Sequence, residues 1–101
     1  MRSRYAAYSL ALADYIIATT HPAGPHYQDD TLRWRLQLAR FSKETKFDGL
    51  EVTPGDQGPI QSLVSFRATL QQGSRDASFA ERSLFVLHEG RWLYHSGERL
   101  T

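Results

Sequence analysis

At Lys46 the spacing of apolar residues changes, and that one change limits the fold more than any other feature of the chain. Before it, Tyr5, Tyr8, Leu12, Tyr15 and Ile16 form a stripe at helical spacing, and Trp34, Leu38 and Phe41 form another. After it, apolar and polar residues alternate, as in Val64, Phe66, Ala68 and Leu70, the period of a half-buried strand. A chain of 101 residues has room for one domain. Residues 1–101 are therefore expected to form a single α+β domain. Its N-terminal helices are expected to pack on one face of a twisted four-stranded antiparallel sheet, and a strongly curved sheet closing on a helix would leave a pocket between the layers.

Residues 2–20 read as helix in two pieces, with Asp14 placed to cap a second piece that begins at Tyr15. Thr19-Thr20-His21-Pro22 ends it, because the residue before a proline is pushed out of the helical region. Met1-Arg2-Ser3-Arg4 ahead of an Ala/Leu-rich stretch imitates a secretory signal, but Tyr5, Tyr8 and Ser9 interrupt the apolar run. No stretch approaches the ~20 apolar residues of a membrane span, so no membrane partner and a cytoplasmic location are expected. Asp29 and Asp30 open a helix running to about Lys43. Two apolar stripes, Leu32-Leu36-Ala39 and Trp34-Leu38-Phe41, predict burial over more than half its girth, with Arg35 and Ser42 in the narrow sector between them.

Residues 46–53 read as a strand, Pro54-Gly55-Asp56-Gln57-Gly58 as a turn, and 60–71 as a second strand with Ile60, Val64, Phe66, Ala68 and Leu70 on one face. After a turn at 71–75, residues 77–88 and 91–97 form a hairpin around Glu89-Gly90. That two-residue loop pairs His88 with Arg91, Leu87 with Trp92, Phe85 with Tyr94 and Ser83 with Ser96. Glu81, Ser83 and Phe85 then share the face that meets the helices, while Leu84, Val86, Leu93 and His95 lie opposite. Leu84, Val86 and Leu93 form an apolar strip that a monomer would expose, which predicts a homodimer through the sheet.

Twelve basic and eleven acidic residues leave a net charge of +1, so no nucleic-acid partner is expected. With no cysteine, disulfides, thiol catalysis and cysteine-ligated zinc are excluded. The four histidines lack metal-ligand spacing, and no nucleotide loop, zinc helix or nucleophile elbow is present, so neither metal nor cofactor is expected. Tyr5, Tyr8, Trp34, Phe66, Phe85, Trp92 and Tyr94 read as core rather than as a base-stacking platform. The pocket candidates are Arg35, Glu81, Ser83 and Tyr94. Glu81 among aromatics is placed for general acid or base work, and the plainer alternative pairs it with Arg35 or Arg82. Arg35 would clamp a carboxylate or phosphate, or else snorkel or pair with Glu81.

The opening Met1-Arg2-Ser3-Arg4-Tyr5, Tyr8, Asp14-Tyr15 and His21-Pro22 resembles that of the YchJ-like family of uncharacterised bacterial proteins. Val64-Ser65-Phe66, Glu81-Arg82-Ser83, Phe85, Gly90, Trp92, Tyr94 and Gly97 match the same family in the same order. The resemblance implies a fold like nuclear transport factor two (cystatin-like), a cone of helices and curved sheet around a pocket. It also implies flanking cysteine-rich SEC-C zinc motifs, whose function does not transfer to a chain without cysteine. Met1 coincides with an internal methionine of that family, and Arg2 and Arg4 sit at the positive end of a helix dipole. The expectation is the middle domain of a longer protein, or a family member without zinc modules.

These features point first to a non-catalytic binding or accessory module holding a small-molecule ligand between helices and sheet. The alternative is a small-molecule enzyme using Glu81 as acid or base.

Overall fold

The computed structural model describes residues 1–100. Three helices, α1 (Arg2–Ser9), α2 (Ala13–Ala18) and α3 (Thr31–Glu44), precede five strands. These are β1 (Lys46–Gln57), β2 (Gln61–Gln72), β3 (Arg75–Asp76), β4 (Phe79–His88) and β5 (Arg91–Arg99). The antiparallel sheet has the order β1-β2-β4-β5. The two-residue β3, not expected from sequence, pairs with the end of β2 across the Gly73 turn.

The helical stretch breaks in two, as expected, but the break is at Ala11, whose φ of 58° is left-handed. Asp14 is therefore not the cap of α2; Leu12 is, and Asp14 lies in the first turn. The break also takes Leu12 and Tyr15 off the common stripe and leaves them exposed, while Ile16 is buried. In α3, Asp30 caps the helix by accepting from the Arg33 N–H at 3.0 Å. Only one of its stripes is buried. Trp34 and Leu38 join Ala7 and Ile16 in a core between the helices, whereas Leu32 and Leu36 are 70% and 65% exposed. With Trp34 and Leu38 turned to α1 and α2 and Phe41 to the sheet, nothing among the described residues covers the second stripe of α3.

On the sheet, Phe66, Ala68 and Leu70 of β2 form the second core, with Met1, Tyr5 and Phe41 packed on them from the helices and Phe47, Leu50 and Val52 from β1. Ile60 does not belong to this face. It sits in the β1–β2 turn and is 62% exposed. Pro54 to Gln57 continues β1 instead of forming the turn, with Pro54 opposite Val64. Proline is tolerated there because β1 is an edge strand. Irregular register after Phe47, near Pro54 and at Leu84/Phe85 bends the sheet towards the helices.

Leu93 is 5% exposed within the single chain, while Leu84 and Val86 remain half-buried. The expected outer strip thus loses Leu93. Trp92, expected in the core, stays 45% exposed at the far end of the hairpin. No helix is long and apolar enough to cross a membrane among the described residues.

Candidate functional site

The turn at Glu89 and Gly90, with φ values of 51° and 79°, sets the β4–β5 register. His88–Arg91, Leu87–Trp92 and Phe85–Tyr94 pair as expected. Ser83 does not pair with Ser96. The register shifts at His95, so Leu84 faces Ser96 and Ser83 faces Gly97. This one-residue shift brings the side chain of Glu81 over a glycine, where a Cβ would overlap the carboxylate.

The Glu81 carboxylate is fixed through one oxygen. Its Oε2 accepts from the Ser83 hydroxyl at 2.7 Å and from the Tyr94 hydroxyl at 3.1 Å. Its Oε1 makes no hydrogen bond among the described residues. Burial and then the neighbouring carboxylate push the Tyr94 phenol well above the ordinary tyrosine value, so Tyr94 is a fixed donor. The tyrosine is itself clamped from the chain leaving α2. Its N–H donates to the Thr19 carbonyl and its carbonyl accepts from the His21 N–H, both at 2.8 Å.

Neither arginine expected beside Glu81 is there. Arg35 bridges Asp14 at 2.6 Å on the surface, and Arg82 approaches Glu98 at 3.9 Å. Arg35 lies outside the pocket because the sector between the α3 stripes is solvent-facing once Leu32 and Leu36 are exposed.

The arginines that do line the cavity, both missed by sequence reasoning, are Arg99, whose guanidinium lies 4.3 Å from the Phe79 ring centre, and Arg4. Arg4 is 5% exposed, its guanidinium lies 4.7 Å from the Tyr94 ring centre, and it reaches the end of α2. Its Nη1 donates to Thr19 Oγ1 at 2.6 Å and to Thr20 Oγ1 and the Ile16 carbonyl at 3.3 Å. Burial lowers its pKa. The signal for it was its position: a cation at the unfavourable end of a helix needs another reason to be there. Beside it, the Tyr8 phenol is pushed up by burial, partly offset by the Arg4 charge.

These groups line one side of a cavity of about 400 Å³ between helices and sheet. Aromatic rings of Tyr5, Trp34, Phe41, Phe66 and Phe79 line much of the rest, with His26, Gln28 and Arg99 among them. Glu81 and Tyr94 are neighbours on the wall of this cavity, while Ser83 is fully buried behind the carboxylate and donates to it.

The histidines give a different surprise. His21 packs against His88 and His95 with ring centres 4.6 and 5.2 Å apart, on the sheet face away from Glu81. Its Nδ1 accepts from the Ala23 N–H at 3.0 Å, and burial followed by the two neighbouring imidazoles lowers its pKa. No group of three or more His, Asp or Glu among the described residues has the geometry to hold a metal ion.

Helices closing over a bent antiparallel sheet, with an aromatic-lined cavity between them, define a domain like nuclear transport factor two. The chain belongs to the YchJ family, whose model for the YchJ middle NTF2-like domain matches residues 1–97. It is 37% identical over 100 residues to a UPF0225 protein of Chromobacterium violaceum, covering 96% of this chain and 69% of that protein. It is 38% identical over 95 residues to a UPF0225 protein of Haemophilus influenzae, covering 93% of this chain and 56% of that one. The solution structure of a SEC-C motif containing protein from Rhodopseudomonas palustris is similar with a TM-score of 0.79 and 32% identity, over 100% of this chain and 76% of that one.

Proposed function

We propose that this domain is a binding module whose cavity takes a small, largely apolar molecule carrying one hydrogen-bond donor. The observation that carries the reading is the asymmetry of Glu81: one oxygen holds two internal donors and the other holds none among the described residues. An acceptor oxygen on a cavity wall with no partner among the described residues is open to a donor carried by a ligand. In relatives that extend beyond this domain, the same cavity would serve as an accessory module for the longer chain.

The catalytic reading uses the same free oxygen to move a proton. It ranks second because Tyr94, the nearest titratable partner, holds its proton and offers no second transfer group.

The test is an NMR titration with phenol against anisole, its methyl ether, in which the hydroxyl donor is capped by a methyl group. Phenol is expected to shift Tyr94, Trp34 and Glu81 resonances and to bind about tenfold tighter than anisole. Glu81→Gln should reduce that preference. Equal binding of the two, or binding elsewhere, would remove the reading.

A further inference from the structure

A second, more open hollow of about 510 Å³ lies beside the start of α1, and Arg4 lines it as well as the Glu81 cavity. Among its lining residues there is no Asp or Glu, and Arg4 is the one charged side chain. Val64, Phe85 and the exposed ring of Trp92 supply apolar walls, and Ser62 and Thr19 supply hydroxyls.

Arg4 enters this hollow with its charge uncompensated. The residue is 5% exposed, its Nε has no hydrogen-bond partner, and no carboxylate lies within ion-pair distance of it among the described residues. The oxygens that Nη1 meets are all neutral: one carbonyl and two threonine hydroxyls. A guanidinium removed from water without a counter-ion is costly to keep, and an anion brought to it recovers part of that cost. Those three contacts and the Tyr94 ring also hold it in one orientation before any ligand arrives.

We infer that this hollow is a site for a small aromatic carboxylic acid, with the carboxylate on Arg4 and the ring against Trp92 and Phe85. Arg4 is the one charged side chain among neutral hydroxyls, and burial lowers the pKa of the α-amino group of Met1, which also lines the hollow, so the site matches a monoanion better than a phosphate dianion. The walls explain the preference for a flat apolar body, since Trp92 offers an open ring face at the hollow. The hollow shares Arg4 with the donor-reading cavity, but the inference does not depend on that reading.

The test uses benzoate and its neutral amide, benzamide, titrated into the whole chain at constant ionic strength and followed by NMR and Trp92 fluorescence. Benzoate is expected to shift Ser62, Phe85 and Trp92 signals and to bind roughly tenfold tighter than benzamide. Ser62→Asp puts a carboxylate on the wall of the hollow and should abolish the preference. Trp92→Ala, at an exposed position, should weaken both probes while the protein melts as before. Inorganic phosphate at equal concentration should not displace benzoate. The inference is overturned by equal binding of benzoate and benzamide, by shifts confined to the Glu81 cavity, or by displacement with phosphate.

Discussion

Gly97 leaves the space that the Glu81 carboxylate fills. A Cβ on residue 97 would overlap the carboxyl carbon and both oxygens of Glu81. The two meet because the register shift at His95 sets Gly97, and not Ser96, opposite Ser83. Gly97→Ala should expel the carboxylate from its bonds to Ser83 and Tyr94 while leaving the backbone unstrained. The expected loss in urea denaturation is about 1–3 kcal/mol, the size of hydrogen bonds to a charged group. The Tyr94 phenol should also titrate nearer its ordinary value. A variant as stable as the parent, with Tyr94 unchanged, would show that the carboxylate is not anchored there.

Tyr94 and Tyr8 make stability fall at alkaline pH. Both phenols are raised in the folded state, chiefly by burial, so above about pH 10 the unfolded chain releases protons that the folded chain retains. Their stabilising contribution is complete below the unfolded tyrosine pKa and is lost as pH rises beyond it. Glu81→Gln should soften this decline, since Glu81 helps to raise both phenols. Denaturation midpoints between pH 8 and 11.5 on the two proteins check it, on the order of the tyrosine range.

Arg4→Met should cost about 2–4 kcal/mol, because it removes three bonds to the end of α2 and the cation from the Tyr94 ring. Thr19 and Thr20 keep hydroxyl bonds of their own to the carbonyls of Tyr15 and Ile16, which limits the damage. Chemical denaturation measures the loss. A change within experimental error would mean that the arginine does not tie α1 to α2.

Arg35→Ala should change stability by less than about 1 kcal/mol, since the pair with Asp14 is 52% and 77% exposed. It should also leave phenol binding in the cavity untouched. A loss of phenol affinity in this variant would return Arg35 to the site.

The sequence by itself determined the order of helices and sheet, the hairpin at Glu89-Gly90, and the helix-facing side of Glu81 and Tyr94. Each of these follows from a local rule, either an apolar period or the geometry of a two-residue turn. Tertiary structure decided the rest. Arg35 stayed at the surface because the α3 stripe beside it, Leu32 and Leu36, was left exposed, while Arg4 reached the cavity through the docking of α1 on the end of α2. The place of Gly97 depended on a single extra residue in β5, and such a bulge answers to sheet curvature rather than to its own composition. The meeting of His21 with His88 and His95 likewise required the loop after α2 to dock along β5 at Tyr94, a pairing between segments more than seventy residues apart. Local patterns set which way a side chain points, but what it meets is set by packing between distant segments.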